Sequence, residues 1–363
     1  GTPTTVNALQ IQSNGNIALA GTATATSFIG SGAGLTSVNA VNGGKKNMFI
    51  NGDFSVNQRG LTTSAVTATN NAYNIDRLAN YIVGVGAQVA LGSEELIGGT
   101  YETPVKYTVS SAASGRLGAL QKVEKWYKGQ TVIMSAWVKS NNSNARLRIY
   151  DGSNEFYSST HTGGGAWEKL TATGTLATNA GQLYCYLFIV DGSGGSVTLT
   201  TNDYIHIAKY QLELGSVATN FEHRSVGEEL ALCQRYFYNP LYNMDGARGS
   251  FVINYLVSSG NNGWITFTVP FPVKMRASSS FSHSLTPAKF LGGGAPSNGQ
   301  DKFSFYIQNQ GYAGLVGNGS IANLSGGGVH QGVVGTYYVS PSSTSASHIF
   351  IGNGCTFQFN AEL

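Results

Sequence analysis

From Thr131 to Ser140 the side chains sort by twos. Val132, Met134, Ala136 and Val138 fall on one face of an extended chain, and Ile133, Ser135 and Trp137 on the other. Trp137, mid-strand among them, is expected in the core. In Ala145–Gly152, Leu147 and Ile149 point inward and Arg146 and Arg148 outward. Leu183–Val190 is apolar on both faces, as a central strand would be. A further alternating run, Asp203–Gly215, closes the series, and Asp-Gly and Gly-Ser-Gly turns separate the runs. About eight such strands predict a β-sandwich or jelly roll over residues 47–224.

The chain ahead of this region is thinner. Leu9 and Ile11 alternate with polar residues, as do Ile17 and Leu19, and Ser13–Asn16 between them is a turn signal. Each of these strands has too few apolar residues to bury a core alone, so residues 1–46 are expected to form a shaft or connector that stacks on copies of itself. Behind the jelly roll, Ser225 and Glu228 fit a capping box, predicting a linker helix from Glu228 to about Tyr236 within residues 225–238. Residues 239–363 are again β. Phe251, Ile253, Tyr255 and Val257 alternate, Gly260–Gly263 turns the chain, and Ile265, Phe267 and Val269 return as a hairpin. Glycine-rich loops are expected around Gly292–Gly299 and Gly311–Gly328. The fold class is therefore all-β: a shaft segment, a jelly-roll sandwich, a short helix and a C-terminal β-sandwich.

Composition agrees. Charged residues make up 11% of the 363 residues, hydrophobic residues 41%, and 48 are glycine. That is too apolar for a disordered chain and suits short strands joined by glycine turns. Residues 1–44 contain no charged side chain, and the net charge of +3 is thinly spread, which argues against nucleic acid as partner. The longest strongly apolar run is far shorter than the ~20 residues of a membrane span. Cys185, Cys233 and Cys355 lie too far apart for a zinc site or a disulfide framework, and Cys185 is expected in the core. A start at Gly1 rather than Met is what a piece of a longer protein would show.

Several segments carry a resemblance. SFIGSGAGLT, from Ser27 to Thr36, looks like an element of bacteriophage tail-fibre shafts. Gly30, Gly32 and Gly34 in it do not suit a nucleotide loop, since neither the strand nor the helix of a βαβ unit flanks them. NMFINGDFSVNQRG (residues 47–60), YNIDR (73–77), GQTVIMSAWVKS (129–140), AWEKLTATGT (166–175) and YQLELGSVATNFEHRSVGEELALCQRYF (210–237) resemble the jelly-roll module of phage tail proteins, akin to carbohydrate-binding modules. FPVKMRAS (271–278) and QFNAEL (358–363) resemble C-terminal tail-fibre tip domains. Leu78 departs from the pattern, standing where many relatives have an aromatic. The resemblance implies a homotrimeric, extracellular virion protein. It would join other tail proteins through its N-terminal side and hold a bacterial surface glycan or protein receptor. The alternatives are a polysaccharide depolymerase with an intersubunit active site and a purely structural tail or baseplate component.

The sequence offers little catalytic chemistry. Glycoside hydrolysis needs two convergent carboxylates. The last region offers Asp245, Asp301 and Glu362, two of them beside turn glycines and one at the C-terminus. Asp151 and Asp191 each begin an Asp-Gly turn. No enzyme is expected. The six histidines are isolated, and His330 in GGGVHQG is the one that could supply three ligands at a trimer axis. The resemblance also implies a structural Ca²⁺ near the first strand, for which Asp53 matches in position; the competing role is a turn aspartate that caps its own backbone. No other cofactor is expected. For glycan binding, Trp126 and Tyr127 in the polar KVEKWYKGQ turn form the best exposed aromatic pair. Tyr150, Asp151, Asn154, Tyr157 and His161 on a loop and its flanks are further candidates, as is Trp264 after a turn; Trp167 is expected half-buried.

Overall fold

The computed structural model describes residues 46–239, 272–276 and 360–362 in full, and the backbone of the strands named outside them. It divides into two units, 1–40 and 41–363. In the first, β1 (Gln10–Ile11) pairs antiparallel with β2 (Ile17–Ala18), the hairpin that the turn signal between them calls for.

The second unit is built on two antiparallel sheets. Its strands are β3 (Val66–Thr67), β4 (Tyr73–Ile75), β5 (Leu78–Val83), β6 (Gly86–Leu91), β7 (Glu95–Ile97), β8 (Thr100–Glu102), β9 (Val105–Ser111), β10 (Ala113–Lys122), β11 (Thr131–Ser140), β12 (Ala145–Tyr150), β13 (Glu155–Tyr157), β14 (Trp167–Thr175), β15 (Tyr184–Ile189), β16 (Val197–Leu199) and β17 (Tyr204–Leu214). One sheet runs β14-β11-β17-β9-β6-β3. The other runs β13-β12-β15-β10-β5-β4, with β16 also paired to β10. The core lies between them. Val132, Met134, Ala136 and Val138 from β11 meet Leu147 and Ile149 from β12 and Cys185, Leu187 and Ile189 from β15. Burying alternate side chains is what gives these strands their period of two. Tyr210 spans the sandwich: its ring stacks on Phe49 at 4.1 Å and its hydroxyl donates to the Cys185 carbonyl at 2.7 Å.

Trp137 is not in the core. It lies half-buried on the outer face of β11, opposite in parity to the core residues. The β7–β8 hairpin covers it and turns at Gly98–Gly99 against the Trp137 indole. Both glycines have positive φ, as a two-residue hairpin loop of this kind demands.

The helix α1 (Val226–Gln234) starts two residues earlier than expected and ends before Tyr236. The Ser225 side chain accepts from the Glu228 N–H, which makes Ser225 the cap and Val226 the first helical residue. Past it, β18 (Phe237–Tyr238) pairs with β26 (Thr356–Asn360), which in turn pairs with β21 (Ser280–Ser284). The expected turn at Gly260–Gly263 lies largely outside the described residues. β19 (Ile253–Asn254) pairs with β25 (His348–Ile349), and β20 (Gly263–Pro270) with β24 (Gly332–Val339). Part of the glycine-rich stretch expected as loop is strand: β22 (Ser304–Ile307) pairs with β23 (Gly311–Gly314). The partners of β19 and β20 lie far along the chain, where local turn signals carry no mark of them.

Candidate functional site

The loop between β10 and β11 carries the exposed aromatic pair that the sequence singles out. Tyr127 packs partly buried against the core, and its carbonyl accepts from the Gln130 N–H at 3.0 Å, closing a turn with Gly129 at φ 69°. The Gln130 carbonyl accepts from Leu176 N–H, tying the turn to the chain beyond β14. Tyr127 thus anchors the loop while its neighbour Trp126 stays 42% exposed. An open depression of about 490 Å³ lies here, lined by Lys125, Trp126, Tyr127, Lys128, Gln130 and Leu214. The Lys128 ammonium sits 5.5 Å from the Trp126 ring centre and the Lys125 ammonium 4.9 Å from that of Tyr127. The depression offers flat apolar rings, an amide and two cations, the means to stack a sugar ring and bond its hydroxyls.

A second aromatic surface is the outer face of the β13-β12-β15-β10-β5-β4 sheet. Cross-strand register puts Tyr157, Arg148, Tyr186 and Leu120 in one row, Arg146, Phe188, Gly118 and Tyr81 in the next, and pairs Tyr150 with Tyr184. Gly118 has no side chain, so Tyr81 reaches across it to meet Phe188 edge-on at 5.8 Å and Tyr186 at 5.1 Å. The Arg148 guanidinium lies 3.9 Å from the Tyr186 ring centre and donates to Glu155 at 3.0 Å. Phe188 is fully buried, and Tyr186 and Arg148 nearly so. This face is largely closed upon itself, leaving Tyr81, Tyr150, Tyr157 and Tyr184 half-exposed.

The other nominated residues divide plainly. Asp151 and His161 are corrections: they are 0% and 1% exposed, out of reach of a ligand. Asp151 accepts from the N–H groups of Ser153, Asn154 and Ala177 and from the Asn154 side-chain amide, so it holds the β12–β13 turn and keeps Asn154 with it. Those bonds hold its carboxyl below the usual range despite burial. His161 accepts the Gly163 N–H on Nδ1 at 2.8 Å, which makes Nε2 the donor to the Ala166 carbonyl at 3.0 Å. It caps its own loop. Trp167 is half-buried and donates to Glu95 at 3.0 Å. Trp264 lies on β20 opposite Tyr338, and its side chain lies outside the described residues, as do His330, Asp245 and Asp301.

Asp53 Oδ1 accepts from both the N–H and the hydroxyl of Ser55 at 3.1 and 2.8 Å. Ca²⁺ takes 6–8 oxygen ligands. Among the described residues no three histidine, cysteine or acidic side chains gather at one point. Asp53 brings one carboxylate, half engaged in a turn; the rest of such a shell would have to come from backbone and amide oxygens.

The motif residues converge instead on a buried polar junction. Asn51 donates to the carbonyls of Val56 and Asp76 and accepts from Val56 N–H, while its own N–H bonds Glu229 on α1. Arg224 pairs with Glu229 at 2.7 Å and donates to the Phe49 and Asn47 carbonyls. Asp76 accepts from Gln58 N–H at 2.6 Å and from its side-chain amide at 2.8 Å, and that amide also reaches the Phe237 carbonyl. Arg77 and Arg59 both pair with Glu362, and their guanidinium groups lie over the Tyr236 and Phe237 rings at 3.6 and 3.7 Å. Glu362 is therefore a structural counter-ion, not half of a carboxylate pair.

Burial pushes the Asp76 carboxyl up to about 7, against Arg59 and the two Gln58 bonds. A folded-state value above the unfolded one stabilises the fold at pH below about 4, and that contribution is lost as pH rises through about 7. His206, held down to about 4 by burial beside Lys106 and Lys139, slopes the other way below its ordinary value. Comparing the native chain with Asp76→Asn subtracts that background. Between pH 5 and pH 8 the native chain's melting temperature should fall more than that of the variant, a trend readable by calorimetry and refuted by parallel profiles.

No family model matches the chain, and no curated protein matches it. Solved structures do. The enzymatically active domain of tailspike protein 4 of bacteriophage CBA120 matches with a TM-score of 0.33 and 12% identity, covering 46% of this chain and 21% of that one. The chain therefore spans about a fifth of that tailspike domain. TmCBM61, solved with β-1,4-galactotriose, matches with a TM-score of 0.25 and 12% identity, over 47% of this chain and 100% of that one. The family 11 carbohydrate-binding module of Lic26A-Cel5E of Clostridium thermocellum matches with a TM-score of 0.25 and 10% identity, over 44% and 99%.

Sequence reasoning missed Asn51, Asp76, Arg77, Arg224 and Glu229 as a set. The signal was partial: all five are polar or charged residues within the segments that resemble the jelly-roll module. Which partner each meets could not be read, because the partners lie up to 285 residues apart.

Proposed function

We propose that this chain is an adhesive, non-catalytic part of a phage tail fibre that holds a bacterial surface glycan in the Trp126–Tyr127 depression. The observation that carries the reading is the exposed Trp126 ring on the wall of an open depression that also holds Gln130, Lys125 and Lys128. The loop beneath it is pinned by backbone bonds and by Tyr127, so little ordering cost is left for binding. The segments that resemble phage tail proteins support the setting: a virion protein outside the host cell, joined to other tail proteins through its N-terminal side. The charge-free first segment supports assembly as a homotrimer, expected to scatter light as three times 38.2 kDa; a monomer mass refutes that.

A binder rather than an enzyme is favoured by the state of the acid that precedes Lys125 in the loop. Glu124 pairs with Arg235 at 2.7 Å and accepts the Tyr236 hydroxyl at 2.9 Å, so it is held away from a substrate. The test is binding of purified host-surface polysaccharide by the full chain. Trp126→Ala should raise Kd about thirtyfold, the ~2 kcal/mol of an aromatic anchor, with an unchanged melting temperature because the ring is exposed. Unchanged affinity refutes the site, and shortening of the polysaccharide refutes the non-catalytic reading.

A further inference from the structure

The charge of the depression says more about its occupant. Of its six lining residues two are cationic, none is anionic, and the rest are two aromatics, an amide and a leucine. The whole chain carries a net charge of only +3, so two unopposed cations in one depression are a local concentration. Among the described residues no ion pair includes Lys125 or Lys128. The one acid of the loop, Glu124, is paired with Arg235 at 2.7 Å. Each ammonium instead lies over an aromatic ring, 4.9 Å from Tyr127 and 5.5 Å from Trp126. A ring with a cation over one face keeps its other face for stacking, and its cation stands within a side chain's length of whatever stacks there.

We infer that the depression selects acidic saccharides: a pyranose ring stacked on Trp126 with its carboxylate, or an equivalent anionic substituent, received by Lys125 and Lys128. The inference rests on the glycan reading above and narrows it. An amide alone would bond neutral hydroxyls as well. Two ammonium groups without carboxylate partners can donate to neutral hydroxyls, but they add charge attraction for a ligand that brings negative charge.

The probes are glucuronic acid, its methyl ester and glucose, titrated at millimolar concentrations into the full chain while the fluorescence of the exposed Trp126 is followed, with Trp126→Phe as the control that removes the signal. Glucuronate should bind about tenfold more tightly than its ester or glucose, the ~1.4 kcal/mol of one added charge contact near the surface. The preference should shrink as salt is raised. Lys125→Gln with Lys128→Gln should bring the acid down to the ester's affinity. These lysines lie on the surface, and an unaltered melting temperature would show the variant folded. Equal affinity for acid and ester, or a preference untouched by salt, overturns the acidic selectivity and leaves the glycan reading standing. No response to any of the three overturns both.

Discussion

Replacing Arg77 by alanine is expected to cost about 3–5 kcal/mol of stability, the usual penalty for removing one member of a buried ion pair. Arg77 is 2% exposed and sits in the two-residue turn between β4 and β5 at φ 67°. Its guanidinium does three things at once: it pairs with Glu362, donates to the Lys122 carbonyl at 2.8 Å, and lies over the Tyr236 ring. Truncation leaves Glu362 buried with Arg59 alone, at 3.1 Å. The midpoint of thermal unfolding should drop by about 10 °C for that loss in a domain of this size. The double variant Arg77→Met with Glu362→Gln should recover part of it, since the stranded carboxylate is neutralised while Arg59 loses its ion-pair partner. A drop equivalent to less than about 0.5 kcal/mol, the range of an ordinary surface change, would mean that the C-terminal end of the chain is not docked on the jelly roll.

Phe49→Ala should be about as damaging, at about 3–5 kcal/mol for a buried aromatic truncated to a methyl. Phe49 is fully buried and its ring lies parallel to that of Tyr210, 8° from coplanar. The segment that carries it is not part of either sheet's strand order, yet Met48 N–H bonds the Leu212 carbonyl and Tyr210 N–H bonds the Gly52 carbonyl, so it runs along β17. Losing the ring removes stacking and opens a cavity against Tyr210, which bridges the two sheets. The denaturant midpoint should fall while the slope of the transition stays constant, because the surface exposed on unfolding is little changed. A loss below about 1 kcal/mol, typical of non-core substitutions, would show that residues 46–60 only decorate the sandwich.

These two residues show where sequence reasoning worked and where it stopped. The strands with a clear period of two, such as β11 and β12, were legible, and so were the Asp151 and Asp191 turns, whose carboxylates bond the N–H groups that follow them. Trp126 and Tyr127 were legible as an aromatic pair in a polar turn, and the structure does place them together in a depression. Trp137 was misassigned because a large aromatic in a strand looks the same whether the core or a covering hairpin buries it. Asp151 and His161 were nominated because they sit among polar loop residues, but polarity does not tell a side chain that reaches solvent from one that folds back to satisfy its own loop.

Alternation, turn chemistry and the cap at Ser225 are properties of a few neighbouring residues, and the amino-acid sequence by itself determined them: two β layers, their turns and a helix start. Pairing of β20 with β24, the gathering of Asn51, Asp76, Arg77, Arg224 and Glu362 at one junction, and the closing of the tyrosine face were decided only by the tertiary structure. The physical reason is desolvation. A buried charge or carbonyl must find its partner wherever the fold brings one near, and that distance in space leaves no mark on spacing along the chain.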